Sequence, residues 1–283
     1  MAAGRYVVFK ATKGKNVFAI KCGDVEESVN LHNQAVIDCF LRLATPRRSG
    51  FVFPQSDFIG TEQGAMLISE FFSGRWLGIQ KPSLHSRLSD RDLDSVFDVI
   101  VFLSGLKKSD LPTFVQDRAR REFTPAYHHA KMDWFSAPAL AAGLITEDEL
   151  ESLHTMVGEK IPRAFAHHDL VPWNMCRLKD GRLGVTDSEF ARWSVAWYDL
   201  AYQYLQLFAL EKNRDLAVHA LSYLASRLEA QGFAHLAQDI FPALAFRVTG
   251  NLWIAAREKD KRQATRQVLA RVLSGEFSRL IKS

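Results

Sequence analysis

The stretch from Ala166 to Asp187 constrains this chain more than any other. It begins Ala-His-His-Asp-Leu-Val-Pro-Trp-Asn-Met, runs through a β-prone piece to Asp180-Gly181, and continues through a second β-prone piece to Asp187. Asp-Gly is a strong signal for a tight hairpin, because glycine accepts the positive φ that such a turn requires. Residues 175–179 and 182–186 are therefore expected to pair, which can bring Asp187 back beside Asn174. Asp169, Asn174 and Asp187 are the residues of this segment that carry chemistry.

That set of groups has a chemistry. Phosphoryl transfer from ATP requires Mg²⁺, a hard ion that prefers oxygen ligands, bridging the phosphates. A carboxylate and an amide oxygen suit the ion. A second carboxylate is needed near the acceptor hydroxyl, to orient it and take its proton. The bland alternative is a capped turn followed by a core hairpin.

The rest of the chain divides into a strand-rich front and a helix-rich remainder. Residues 6–12 and 17–22 are β-prone and flank Lys13-Gly14-Lys15-Asn16, which is turn chemistry. Asp24 is placed to cap a helix whose first turn holds Glu26 and Glu27, and Val29, Val36, Phe40 and Leu43 continue it at helical spacing. Short β-prone pieces follow at 51–53, 58–59 and 65–69. From about residue 90 the pattern is mostly helical, with helices expected over 91–107, 146–160, 198–211, 213–231, 236–256 and 259–281. This order implies an α+β protein with two lobes.

The motifs resemble those of the aminoglycoside-phosphotransferase and choline-kinase families. His167-His168-Asp169-Leu170-Val171-Pro172-Trp173-Asn174 is similar to their His-Gly-Asp-x4-Asn loop. Asp187-Ser188-Glu189 resembles their Asp-Trp-Glu, and Tyr198-Asp199-Leu200-Ala201 their Tyr/Phe-Asp-Leu-Ala. At the front, Val17-Phe18-Ala19-Ile20-Lys21 resembles the strand whose lysine contacts the α- and β-phosphates. Met66-Leu67-Ile68-Ser69-Glu70-Phe71-Phe72-Ser73-Gly74 resembles the hinge that pairs with adenine.

The resemblance implies a protein-kinase-like two-lobed fold, with a small antiparallel-sheet front lobe over residues 1–74 and a larger, mainly helical lobe over 75–283. It implies Asp169 as the catalytic base or hydroxyl-orienting group, with Asn174 and Asp187 as Mg²⁺ ligands. Lys21 would contact the ATP phosphates, and the backbone of Glu70 and Phe72 the adenine. Asp199 would cap the helix from Leu200 and tie it to the catalytic loop, and His167 would brace that loop.

Four departures stand out. His168 occupies a position where the families usually have glycine, and Ser188 one where tryptophan or phenylalanine is common. The helix partner of Lys21 aligns with Gln34 in place of a glutamate, and Glu27, seven residues earlier on a similar face, is an alternative. Only residues 1–5 precede the first strand, so the glycine-bearing phosphate loop is expected to be absent or shortened. A neutral partner and a short loop together imply weak ATP binding.

Charge and composition narrow the function further. The net charge is +4, yet residues 257–283 hold eight Lys/Arg against three acids, which leaves the remainder near −1. The basic tail reads as a solvated helix face, and no nucleic-acid motif accompanies it. The dense acidic cluster Glu147-Asp148-Glu149 reads as a helix N-terminus, not as a pocket for polycations. Cys22, Cys39 and Cys176 have neither zinc nor disulfide spacing and are expected to be reduced thiols of a cytoplasmic protein. Neither a signal peptide nor a membrane span is expected. These readings favour a kinase acting on a hydroxyl of a sugar or other metabolite over one acting on a polycationic antibiotic. A choline-like acceptor would need an aromatic cage, for which Trp193, Trp197 and Trp253 are candidates. The alternative function is a kinase-like binding module without turnover.

Overall fold

A computed structural model describes residues 6–79, 85–122, 124–158, 161–232 and 239–277. Residues 1–5, on which the expectation of an absent or shortened phosphate loop rests, lie outside these. The front lobe opens with the anticipated hairpin, β1 (Val7–Lys13) and β2 (Asn16–Gly23), turning at Gly14 with φ 62°. Helix α1 spans Ser28–Ala44. Asp24 accepts a hydrogen bond from the Glu27 N–H at 3.1 Å, but the helix begins only at Ser28, so Asp24 closes the preceding turn and does not cap the helix.

The short β3 (Phe51–Val52) comes next, followed by β4 (Ser56–Thr61) and β5 (Gly64–Glu70). The front sheet is antiparallel with order β1-β2-β5-β4. Leu31 and Ala35 of α1 pack on Ala65 and Leu67 of β5. Leu31 and Leu67 are almost fully buried, which is worth about 1.5–3 kcal/mol each.

The second lobe begins with three short strands, β6 (Gly74–Trp76), β7 (Gly78–Ile79) and β8 (His85–Ser86). Helix α2 (Asp90–Gly105) is started by a capping box between Ser89 and Asp92. Helices α3 (Thr113–Glu122) and α4 (Pro125–Ala141) were not foreseen individually: the first carries many charges, and the second has Pro138 in its interior. Helix α5 (Glu147–Val157) has its own capping box between Thr146 and Glu149. Then come β9 (Arg163–Ala166), β10 (Met175–Leu178), β11 (Leu183–Val185) and β12 (Arg192–Val195). Helix α6 (Tyr198–Leu205) runs into a π-helical turn over Gln206–Leu210. Helices α7 (Arg214–Ala230), α8 (Phe241–Arg257) and α9 (Arg262–Leu273) complete the lobe.

A second sheet, of order β3-β11-β10-β6, joins the parts. The β10–β11 hairpin turns at Gly181 as expected (φ 88°), with β3 parallel to β11 on one side and β6 antiparallel to β10 on the other. Asp92 fastens this sheet to α2 by accepting hydrogen bonds from Arg75 and Arg177. Beneath lies one large apolar core, drawn from α2, α4 to α8 and α9.

Within the described part of the basic tail, Arg266 is used internally. Arg266 donates to the Leu144 carbonyl at 2.9 Å and pairs with Glu149 at 2.8 Å, so the basic helix and the acidic helix start offset one another. No described helix is long and apolar enough to cross a membrane. Cys22, Cys39 and Cys176 are free.

Candidate active site

The loop after β9 is shaped by Asp199. Its buried carboxylate accepts the backbone N–H groups of His167 and His168, at 2.7 and 2.8 Å. The expected tie to the catalytic loop is thus present, but the expected cap is not: Asp199 sits inside the first turn of α6, whose cap position is Trp197. Burial pushes Asp199 up to about 7, against those two hydrogen bonds.

His168 explains why glycine is usual at its position. Its φ is 66°, in the left-handed region that costs a side-chain-bearing residue energy. Here the imidazole stacks on Tyr198 at 3.8 Å between centroids, which gives the side chain a partner. His167 is fully buried, accepts the Asp169 N–H through Nδ1 at 3.3 Å, and is pushed down to about 4 by burial. A neutral imidazole that holds backbone matches its expected bracing position.

Asp169 Oδ2 accepts from Asn174 Nδ2 at 2.8 Å, and Oδ1 from the Tyr202 hydroxyl at 3.1 Å. Burial, and then the charge of Asp187, push Asp169 up to about 6 against those hydrogen bonds. Asn174 Nδ2 also donates to the Asp169 carbonyl, which leaves the amide oxygen of Asn174 available to an ion. Asp187 follows β11 at φ 66°, and the Thr186 N–H is bonded to the Asn174 carbonyl at 2.9 Å. The hairpin therefore brings Asp187 back beside Asn174, as its turn signal required.

Lys21 reaches across from β2. Its Nζ lies 2.7 Å from Asp187 Oδ1, 3.0 Å from Glu189 Oε2 and 3.1 Å from Gln34 Oε1. Burial opposes its charge, yet the two carboxylates hold the ammonium above the ordinary lysine value. Gln34 is thus the partner from α1. Glu27 accepts from the Tyr6 hydroxyl and the Asn30 amide. The negative charge that Gln34 lacks comes from Glu189, which has no evident task in the sequence alone. Its signal was an acid two residues after the expected metal ligand.

Ser188 has an equally local reason. Its hydroxyl donates to Asp38 Oδ1 on α1, and Ser56 donates to Oδ2 of the same carboxylate. Asp38 lies one turn beyond Gln34 and is fully buried. The helix is thus joined to the segment after β11 through a serine where a large aromatic is usual.

A cleft of about 260 Å³ between the lobes is lined by Lys21, Gln34, Glu70, Phe72, Asn174 and Asp187, with Trp76 and Trp173 on its walls. Of the six residues singled out from sequence, five share this cleft, and Asp169 is joined to it through Asn174. The Glu70 N–H is used by the Gln55 carbonyl, whereas no backbone carbonyl among the described residues accepts the Phe72 N–H. The Phe72 ring lies against Gly184, where even a methyl group would come within 2.4 Å of it. Trp193 and Trp197 pack on the large core, while Trp253 stacks on Trp134 and carries Arg257, so the three tryptophans do not converge into a cage.

The donor set fits Mg²⁺. One carboxylate and one amide oxygen are what an ion retaining several waters and phosphate oxygens takes from protein. A metal held by protein side chains alone is a poorer fit: no group of three or more His, Cys, Asp or Glu among the described residues is placed to hold one.

A two-lobed α+β fold, with a lysine from the front sheet facing an Asp/Asn/Asp set from the rear lobe, defines a protein-kinase-like phosphotransferase. The sequence model of the phosphotransferase enzyme family that includes aminoglycoside phosphotransferases matches residues 55–235, and the chain belongs to that family. Comparison with curated protein sequences gives no match. Among solved structures, the apo form of a thermostable mutant of aminoglycoside phosphotransferase APH(4)-Ia superposes with a TM-score of 0.61 at 12% identity, over 98% of this chain and 93% of that one. A variant of that enzyme in ternary complex with ADP and hygromycin B gives 0.58 at 12% identity, over 97% and 92%. Choline kinase LicA from Streptococcus pneumoniae gives 0.54 at 16% identity, over 97% and 91%.

Proposed function

We propose that this phosphotransferase moves the γ-phosphoryl group of ATP to a hydroxyl group of a small molecule. The observation that carries this reading is the arrangement around the cleft in which Lys21 bonds Asp187, the adjoining Thr186 N–H bonds the Asn174 carbonyl, and Asn174 bonds Asp169. Lys21 grips phosphate oxygens, Glu189 and Gln34 hold Lys21, and the Glu70 carbonyl with the Phe72 N–H pairs with the adenine edge. Asp187 and Asn174 would hold Mg²⁺, which would supply charge to offset the phosphates.

Asp169 accepts the proton of the acceptor hydroxyl. The acceptor oxygen forms a bond to the γ-phosphorus, the bond from that phosphorus to the β,γ-bridging oxygen breaks, and ADP leaves with its electron pair. Tyr202 and Asn174 keep the carboxylate of Asp169 aimed, and a value near 6 leaves it ionised at neutral pH yet basic enough to share the proton.

The acceptor is a metabolite, not a polycation: the cation Arg247 lies over the Tyr202 ring at 4.0 Å, and the Tyr202 hydroxyl donates to Asp169. The free thiols support a cytoplasmic location. A screen of hydroxylated metabolites for ADP release with Mg²⁺-ATP tests the reading. Nucleotide binding without ADP release from any acceptor would favour a binding module instead.

A further inference from the structure

Helix α1 carries two buried polar side chains one turn apart, Gln34 and Asp38. Gln34 holds Lys21 Nζ. Asp38 is bonded to no cation among the described residues; its two oxygens accept from hydroxyl groups on two other elements. Oδ2 takes the Ser56 hydroxyl at 2.7 Å, at the start of β4. Ser56 has one hydrogen and gives it to Asp38, so the Ser69 hydroxyl on β5, 2.8 Å away, donates to Ser56 in turn. Oδ1 takes the hydroxyl of Ser188, which is itself fully buried.

Ser188 opens a short turn, Ser188–Phe190, closed by the Ala191 N–H on the Ser188 carbonyl at 2.9 Å. The turn starts directly after Asp187, whose φ of 66° is unfavourable for a residue with a side chain and has to be held by its surroundings. Asp187 and Glu189 both reach Lys21, while Ser188 between them reaches α1. Neither Ser188 nor Asp38 lines the cleft, so a ligand entering it does not compete for the bond between them. A carboxylate taken out of water without a cation opposite it costs stability. What it supplies in exchange is an acceptor for both hydroxyls at once, one on each oxygen, which an amide with its single oxygen does not match.

We propose that Asp38 is a positioning residue for metal-bound nucleotide: through Ser188 it fixes the turn that aims Asp187 and Glu189, and through its own helix it ties that turn to Gln34. Helix α1 thereby sets the phosphate-gripping lysine and the metal-binding carboxylate together. Asp38 acts through Ser188 and touches neither nucleotide nor acceptor. The inference rests on the phosphotransferase reading, in which Asp187 and Asn174 take the ion and Lys21 the phosphates.

The test titrates the full chain calorimetrically with AMP-PNP, once with excess Mg²⁺ and once with EDTA, and reads the gain in affinity that Mg²⁺ confers. In Ser188→Ala that gain should shrink roughly three- to tenfold, the part of one charge-assisted hydrogen bond that reaches Asp187 through the backbone. Asp38→Ala should shrink it at least as far, and Asp38→Asn, which can still accept one hydroxyl, should recover part of it. Ser56→Ala deletes a comparable hydroxyl bond on the sheet side of the same carboxylate. It should lower the melting temperature to a similar extent and leave the Mg²⁺ gain within twofold of wild type. If a buried alanine variant does not fold, Asp38→Asn against Ser56→Ala carries the comparison. A Mg²⁺ gain within twofold of wild type in every folded Asp38 and Ser188 variant, or an equal loss in Ser56→Ala and Ser188→Ala, overturns the positioning assignment and leaves the phosphotransferase reading standing. Wild-type protein that binds no AMP-PNP with Mg²⁺ at millimolar concentration removes the reading itself and this inference with it.

Discussion

Replacing Glu189 by glutamine tests how the phosphate-gripping lysine is held. Lys21 Nζ has three acceptors, but Asp187 is also the proposed Mg²⁺ ligand, and Gln34 is neutral. With Mg²⁺-ATP bound, Glu189 is left as the carboxylate that fixes the ammonium. The pair is sheltered, with side-chain exposures of 14% and 5%. Coulomb attraction at 3 Å with an effective dielectric of about 20 is on the order of 5 kcal/mol, much of it cancelled by desolvation. A more direct measure is the difference between a charge-assisted hydrogen bond at about 1.5–3 kcal/mol and a neutral one at about 0.5–1.5, which leaves about 1–1.5 kcal/mol. Glu189→Gln should therefore weaken Mg²⁺-ATP binding by roughly five- to fifteen-fold, and Glu189→Ala by more. Calorimetric titration at fixed ionic strength reads this directly, with the melting temperature of the nucleotide-free variant confirming an intact fold. The companion Gln34→Glu should not tighten ATP, because it adds a third carboxylate around one ammonium. An unchanged Kd in both Glu189 variants, or a tenfold gain in Gln34→Glu, would refute the assignment of the clamp to Glu189.

Asp169→Asn should lower kcat by roughly 10²–10⁴-fold while ATP affinity persists, measured by ADP release against calorimetry. The pH profile should show an acid limb: Asp169 acts ionised, so kcat/KM falls as pH drops through about 6, and saturating Mg²⁺-ATP should move the limb lower by offsetting the charge of Asp187. A flat profile between pH 5 and 7.5 contradicts this. Asp38 is pushed up to about 7 by burial, so in the folded state it holds its proton to higher pH than the unfolded chain does, and its contribution to stability declines as pH rises through 7. Asp38→Asn should accordingly gain about 2 kcal/mol relative to wild type between pH 5.5 and 8, visible as a melting-temperature difference of several degrees; a pH-independent difference rejects it. Gly184→Ala should cost about 1–3 kcal/mol by driving a methyl into the Phe72 ring, and Phe72→Leu in the same background should recover part of it in a denaturant titration.

Most of the site was legible because its groups sit in a short span with an unambiguous turn. Asp180-Gly181 fixes the hairpin, and the hairpin fixes Asp187 against Asn174. The front hairpin was legible for the same reason. Residues whose task depends on distant partners were not. Nothing local to Glu189 announces that it faces a lysine 168 positions earlier, and Asp38 reads as one more polar residue of an amphipathic helix until Ser188 and Ser56 are placed around it. Nothing in the residues around Arg247 singles it out, and only packing puts it over Tyr202. The two- to four-residue strands at 74–76, 78–79, 163–166 and 192–195 are too short to show an alternation. Helix α4, interrupted in its pattern by Pro138, shows no clear apolar stripe.

The pairing of β3 with β11 bears on how the cleft can open. Because β3 and β6 both belong to the sheet that carries Asp187, the described chain passes between the front body and the rear body three times, at 45–50, 53–55 and 71–73. A single tether would let one body swivel freely on the other, whereas three spaced tethers remove most of those degrees of freedom. Three tethers favour rocking over swivelling as the motion that would separate Lys21 from Asp187. The lysine thus re-enters between Glu189 and Gln34 on closure without a search, and cutting any one of the three tethers would leave the halves aligned by the other two.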